Sequence, residues 1–318
     1  MISFIVIGRN EGKTIKKTIN SIYIYVTYNQ INEYEIIYVD SKSTDNSIEI
    51  VKSFNNVKIF AITGEINAAI GRNIGAKEAK GEVLVFLDAD MEIEKTFHDI
   101  VFKNNKLNYP FVSGQLKNIF YNAQWKIVDE NFLFPNFEKD IYISTTGGYF
   151  IIEKQLWDSI HGMRTKYRRS QDLDLGLRLA KQGTLLLRKK ELFVRHHTIH
   201  YQNKARIWKM LLDGSLFYET SVLYRDHFFN KYIYRKMIRM DYTLIILLFS
   251  ILGSYFSINI LLLHPISVIM RVMLIKQVKQ NIPRGELFLH RYLRDVISFF
   301  GFFLFFPQEK NIIYERKN

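Results

Sequence analysis

The 318-residue chain has no cysteine, only five prolines and three tryptophans, and no acidic excess. The missing cysteine excludes disulfide scaffolds, thiolate metal sites, iron–sulfur clusters and cysteine nucleophiles together, and it is compatible with a reducing compartment. No Gly-x-Gly-x-x-Gly follows the first apolar run and no Gly-x-x-x-x-Gly-Lys occurs. That counts against a nicotinamide dehydrogenase and a P-loop nucleotide hydrolase. The opening MISFIVIGRN has no basic lead, and its apolar stretch is too short for a secretory signal. It reads as the first strand of a fold, so export is not indicated. No internal repeat or low-complexity linker is visible.

What is present is apolar and basic. Hydrophobic residues make up 48% of the chain, enough for a sizeable core, and 44 Lys and Arg stand against 31 Asp and Glu, a net charge of +13. Such an excess suggests nucleic acid, anionic lipid or phosphorylated small molecules as partner. The charge is uneven: residues 1–100 hold 11 basic and 14 acidic side chains, 101–200 hold 16 and 9, and 201–318 hold 17 and 8. A basic last third beside a long apolar run suits a membrane surface better than a nucleic-acid groove.

Apolar runs at 2–8, 34–40, 57–62 and 82–88 read as strands. Between them Ile15, Ile19, Ile22 and Val26, and later Ile66, Ala69, Ile70 and Ile74, recur at helical spacing. This alternation predicts a Rossmann-like parallel sheet over 1–105. Residues 106–200 mix strand-like pieces with a helix from about Asp172 to Gln182, which Gly183 can end. The region 201–318 changes character. Tyr242–Met270 contains no Asp, Glu, Lys or Arg, a length able to cross roughly 30 Å of hydrocarbon. Gly253, Ser254, Ser257 and Asn259 dilute its middle, and His264-Pro265 interrupts its end. Arg235, Lys236 and Arg239 precede it, and Arg271, Lys276 and Lys279 follow. Basic flanks on both sides favour a re-entrant or surface-lying helix pair over one clean span. A second apolar stretch, 296–307, is too short to span as a helix.

Four motifs carry candidate chemistry. EVLVFLDAD delivers Asp88 and Asp90 at the end of a buried strand, where α/β sheets bind ligands. One carboxylate can hold Mg²⁺ or Mn²⁺ while the other meets a sugar hydroxyl; the bland alternative is a solvated or capping pair. VDSKSTDNS again ends a strand in an acid, Asp40, placed to accept from a base or ribose, with Asp45 and Ser47 as helix caps. SQDLDLGLRLAKQG sets Asp172 and Asp174 at a helix start, where the dipole stabilises carboxylates without any further role. VRHHTIHY brings His196, His197 and His200 near a strand end, as metal or phosphate ligands or as a solvated edge.

In this order the motifs resemble the family 2 glycosyltransferases, inverting enzymes of GT-A fold that use nucleotide-sugar donors. The resemblance covers about residues 2–200 and includes RNEGKTIKKTINSI, VDSKSTDNS, GRNIGAKEAKGEVLVFLDADM, TTGGYFIIEKQLW and SQDLDLGLRLAKQG. It implies a nucleotide-sugar-binding half (1–105), an acceptor half (106–200) and a mostly helical, membrane-associated region (201–318). It further implies that Asn10, Glu11 and Asp40 meet the nucleoside, that Arg72 meets the donor phosphates, and that Asp88 and Asp90 form the Asp-x-Asp, with Asp90 the metal ligand. Gly147 and Gly148 would line the sugar and acceptor site with Gln171, His196 would complete the Mn²⁺ or Mg²⁺ site, and Asp172 would be the catalytic base. Ser41 and Lys42 depart from the pattern, where many members have Asp and Gly. Gln171 replaces a Glu, and the Gln-x-x-Arg-Trp of processive members is absent. The expectation is therefore a metal-dependent, non-processive transfer from a UDP-sugar or related donor to a lipid-linked or cell-envelope glycan acceptor. It would occur at the cytoplasmic face of a membrane, held through 242–270 and, as a second contact, 296–307, with no nucleic-acid partner. A catalytically silent membrane scaffold, a basic nucleic-acid-binding protein and a nucleotidyltransferase of similar fold stay open as alternatives.

Overall fold

The computed structural model of the chain describes residues 1–103, 106–134, 138–199, 205–274 and 283–318. The four apolar runs form β1 (Ile2–Gly8), β2 (Tyr34–Asp40), β3 (Val57–Ile62) and β4 (Val83–Asp88). They pair in parallel in the order β4-β1-β2-β3. Both sheet faces are covered, which is why these strands read as continuous apolar runs and not as an alternation. Successive side chains serve opposite cores. Phe4 and Val6 pack with Ile15, Ile19, Ile22 and Val26 of α1 (Ile15–Tyr28), whereas Ile5 and Ile7 pack with Ala69, Ile70 and Ile74. The latter lie on α3 (Ala68–Glu78), which follows the short α2 (Ser47–Lys52); Asn67 caps α3 by accepting from the Ile70 amide at 2.8 Å. Ile66, expected on that helix, precedes it.

The chain returns to β1 after β3 and lays β4 on its other side. The connections therefore diverge between β1 and β4, and the crevice beyond their C-terminal ends is the place where such sheets take ligands. Beyond β4 the sheet widens through Phe150–Glu153, antiparallel to β4, then Phe111–Tyr121 and Leu186–Ile199. Met91–Ile93 pairs with Val194–His196. One sheet thus runs through both 1–105 and 106–200.

By their contacts the described residues divide into two compact units: Met1–Tyr167 with Gln171–His200 and Glu309–Asn318, and Arg168–Ser170 with Tyr201–Gln308. The last ten residues differ from the expected 201–318 grouping, because Tyr314–Arg316 adds antiparallel to β3 at the edge of the first unit's sheet.

The second unit is helical. Its uncharged run folds as a helix, Tyr242–Gly253, a short 3-10 turn, Ile258–Leu262, and a second helix, Leu263–Leu274. The diluted middle is the break between them. His264-Pro265 opens the second helix instead of interrupting it, since proline is tolerated in a first turn. The stretch 296–307 supplies the end of a longer helix, Arg284–Leu304. No described helix is long and apolar enough to cross a membrane. Lys276 and Lys279 lie outside the described residues.

Candidate active site

The crevice is built first from backbone. The Ala89 amide donates to the Ile7 carbonyl at 2.8 Å and that of Ser41 to Gly8 at 2.9 Å. A Cβ on Gly8 would lie 2.6 Å from that of Ala89, so only glycine lets the ends of β1 and β4 close this tightly. Asn10 adopts a left-handed conformation (φ 59°), accepts from the Thr44 amide at 2.7 Å through Oδ1 and donates its own amide to Ser43 Oγ at 2.9 Å. Asp45 accepts from the Gly12 amide, and Ser47 Oγ from the amide of Glu11, each at 2.9 Å. Asp40 is buried beneath this pair of loops, accepting from Tyr38 Oη at 3.0 Å and the Ser43 amide at 2.8 Å. Asn10, Ser43, Asp45 and Ser47 thereby stitch the loop after β1 to the loop after β2, while Asp40 holds the second loop to its own strand.

Three carboxylates converge above this frame. Asp88 meets Arg72 Nη2 at 2.7 Å; the same nitrogen donates to the Gly148 carbonyl at 3.1 Å. Arg72 is itself buried. A Cβ on Gly148 would sit 2.4 Å from Asp88 Oδ2, so this glycine leaves the carboxylate its place, while Gly147 faces open space. Asp90 Oδ2 lies 3.1 Å from His196 Nε2, and its Oδ1 is buried without a hydrogen-bond partner. Glu11 Oε2 accepts from Thr14 Oγ1 at 2.9 Å.

Burial raises the Glu11 carboxyl to about 7, reinforced by the negative charges of Asp90, Asp88 and Asp45 against the Thr14 hydrogen bond. Burial likewise raises Asp88 to about 6; Arg72 and His196 oppose the shift, while Asp90 and Asp172 add to it. Burial would lower His196, but its bond to Asp90 and the field of Asp90, Asp88 and Glu11 raise it. Arg72 and His196 do not cancel the upward shift of Asp88.

This arrangement suits a divalent cation. Asn118 Nδ2 donates to Asn131 at 3.2 Å, which turns its Oδ1 to His196 Nδ1 at 2.9 Å. The imidazole therefore carries a hydrogen on Nδ1 and, once Nε2 loses its proton, presents a lone pair beside the orphaned oxygen of Asp90. Among the described residues no three His, Cys, Asp or Glu side chains close into a ready-made metal cage. Two protein ligands fit a hard cation that completes its shell with water and phosphate oxygens.

The remaining candidates sit on other elements. Gln171 and Asp172 open the helix Gln171–Lys181, where Asp172 Oδ1 accepts from the Leu173 amide at 3.0 Å. Gly183 (φ 97°) lies just past its end. Asp174 is not a solvated helix-start acid: it is fully buried between Arg178 at 2.9 Å and Arg164 at 3.3 Å. His197 is buried between Tyr121 Oη at 2.9 Å and Glu92 at 2.8 Å and plays a structural part. His200 lies outside the described residues. Asn118, which orients His196, is not singled out by the sequence, since Phe111–Tyr121 also carries Ser113, Gln115 and Lys117. A cavity of about 650 Å³ lies at the opposite, N-terminal end of β4, lined by Lys80, Glu82 and Lys154, away from every one of these groups.

The family model described as "Glycosyl transferase family 2" matches residues 3–174, more than half of the chain. Glycosyltransferase GlyG of Streptococcus pneumoniae is 28% identical over 65% of this chain and 61% of its own length. An uncharacterized glycosyltransferase of Haemophilus influenzae is 26% identical over 57% and 63%. The chain thus spans less than two thirds of these relatives. The Escherichia coli protein named UDP-Glc:alpha-D-GlcNAc-diphosphoundecaprenol beta-1,3-glucosyltransferase WfaP is 35% identical over 28% of this chain and 35% of its own. Among solved structures, Staphylococcus aureus TarS is similar with a TM-score of 0.43 and 18% identity over 71% of this chain and 43% of its own.

Proposed function

The chain belongs to glycosyl transferase family 2, and on that premise we propose that it transfers a sugar, with inversion and one residue at a time, from a nucleoside diphosphate sugar to a hydroxyl of a lipid-linked or envelope glycan acceptor. The observation that carries this reading is the convergence of Glu11, Asp88 and Asp90 in the crevice between β1 and β4, with two of the three carboxyls held far above their ordinary range. Such a field disfavours an anionic donor unless a cation mediates. Asp90 and His196 would hold Mn²⁺ or Mg²⁺, which when bound supplies positive charge to a leaving nucleoside diphosphate.

The chain's own residues do the rest. The joined loops 8–12 and 41–47 form the nucleoside wall, with Asn10 and Asp40 fixing its shape. Arg72 keeps Asp88 in place for a sugar hydroxyl and holds the Gly148 backbone beside it. Asp172 lies in the first turn of its helix, where the helix dipole favours a carboxylate. It takes the proton of the acceptor hydroxyl as that oxygen attacks the anomeric carbon from the face opposite the diphosphate, which inverts the centre.

The acceptor class and location draw on the second unit. Its two apolar helices are turned outward: Tyr242–Gly253 buries Thr243, Leu247 and Ser250 while Phe249 and Leu252 are more than 60% exposed. Leu263–Leu274 buries His264, Val268 and Val272 and exposes Ile266, Met270 and Met273. Contiguous exposed apolar surface of this kind marks an interaction face, and residues 201–308 carry 14 Lys and Arg against 6 Asp and Glu. We read it as a seat on the cytoplasmic face of an anionic membrane, and the names of WfaP and of a Methanococcus voltae relative acting on a dolichyl phosphate sugar support a lipid-linked acceptor.

The test is release of nucleoside diphosphate from a panel of UDP-, GDP- and dTDP-sugars with Mn²⁺ and membranes as acceptor, with the anomeric configuration of the product read by NMR. One donor should turn over with inversion. Folded protein inactive across the panel, or a retained anomer, contradicts the reading.

A further inference from the structure

Within the second unit a cavity of about 300 Å³ is lined by Phe228, Met237, Ile245, Leu248, Phe299 and Phe303. Its few polar neighbours are already satisfied. Ser298 Oγ and Thr220 Oγ1 bond each other at 2.7 Å, Ser221 Oγ donates to the Ser298 carbonyl at 2.8 Å, and Tyr224 Oη donates to Asp241. No lining group is left to orient a polar ligand, and a polar guest would lose its own hydration without compensation. The rim is equally apolar, since Phe228, Leu248 and Phe303 are each 41–56% exposed.

Charge names the rest of the occupant. Met237 reaches the cavity from the helix Lys231–Met240, whose exposed positions carry Lys231, Arg235 and Arg239 beside Tyr234 and Ile238. That mixture of cation and apolar side chain suits a boundary where hydrocarbon meets an anionic headgroup.

We propose that this cavity takes one hydrocarbon chain of a phosphate-headed membrane lipid. The inference rests on the membrane-facing reading of the second unit and not on transfer chemistry. It makes the unit a lipid receptor with a defined slot, in addition to an adhesive face.

The full chain is titrated with cis-parinaric acid, a fatty acid that fluoresces on entering an apolar site. Saturable binding at one probe per chain is expected, displaced by dioctanoyl phosphatidic acid roughly fivefold better than by uncharged dioctanoylglycerol. Ile245→Trp and Ser298→Leu fill the slot, and each excluded methylene should weaken binding roughly fourfold. Phe249→Ser with Leu252→Ser, on the exposed face, should leave probe binding unchanged and weaken flotation with phosphatidylglycerol vesicles. In the wild-type chain a diazirine-bearing fatty acid should label peptides spanning 237–248 and 298–303, a readout that needs no variant to fold. Labelling elsewhere, non-saturable uptake, or equal binding by both filled variants overturns the proposal. A wild-type chain that does not float with the vesicles while its slot still saturates would instead defeat the membrane reading and leave the slot standing.

Discussion

The two units use buried acids in opposite ways. In the first, Glu11 and Asp88 are pushed up to about 7 and about 6 because burial and neighbouring carboxylates outweigh Arg72 and His196. In the second, Asp241 and Asp295 are more deeply enclosed, yet Lys236 at 2.7 Å and Arg294 at 3.1 Å hold Asp241 below the ordinary range. His264 and Arg294 do the same for Asp295. An acid left wanting a cation is poised for a ligand, whereas an acid already matched belongs to the architecture. The outer surfaces invert in the same way, with polar loops over the first unit's crevice and Phe and Leu over the second unit's helices.

If the contrast is real, the largest effect of a single substitution belongs to the first unit's chemistry. Asp172→Asn keeps the contact to the Leu173 amide but cannot accept a proton, so turnover should fall by about 10² to 10⁴ while donor affinity is retained. Asp90→Ala should instead abolish metal-dependent donor binding, read by calorimetry with and without Mn²⁺. Near-normal turnover of Asp172→Asn would remove it as the base.

In the second unit the corresponding loss is stability. Asp241→Ala leaves Lys236 and Arg294 facing each other in a buried site, a change expected to cost about 3–5 kcal/mol. Hydrogen exchange over 242–274 should accelerate strongly, with residues 2–88 much less affected. Equal acceleration in both regions would show that the two units unfold as one.

The pH dependences should run in opposite directions. Glu11 and Asp88 have folded values above their unfolded ones, so metal-free protein holds protons that the unfolded chain releases, and their contribution to stability falls as pH rises from about 4 to 7. For Asp241 and Asp295 the folded values are depressed. Their contribution is full above the ordinary carboxylate range and is lost as pH falls through the folded values. Melting in EDTA should therefore show the first slope, and Glu11→Gln or added Mn²⁺ should flatten it. An unchanged slope in Glu11→Gln would assign the effect to other groups.

Much of this was legible in the sequence. β1, β2 and β3 end where their apolar runs end, because a strand buried on both faces has nothing but apolar residues to show. The break in the uncharged run was visible in Gly253, Ser254 and Ser257. Partnership was not legible. Arg178 stands four residues after Asp174 and could be paired with it from spacing, but nothing near Asp174 points to Arg164, and nothing in the run says that Tyr38 and the Ser43 amide hold Asp40. Periodicity reports which face is buried, but it does not report which charge lies across from which.

The smallest predicted effect tests whether strain in the loops after β1 and β2 contributes to the contrast. Lys42 stands at φ 58° and Asn10 at φ 59°, both left-handed and neither glycine. Lys42 is exposed, so Lys42→Gly relieves a conformation costing about 1–2 kcal/mol but gives back about 0.4–1 kcal/mol by loosening the unfolded chain. A net gain of about 0–1.6 kcal/mol should follow, with donor affinity unchanged. Asn10→Gly gains less relief, because Asn tolerates the left-handed region, and it loses the acceptor for the Thr44 amide, so its sign should reverse and donor affinity should drop. If both substitutions stabilised alike, the loop after β1 would be held by backbone preference alone, and the crevice would owe its shape to glycine-like turns more than to the side chains that cross it.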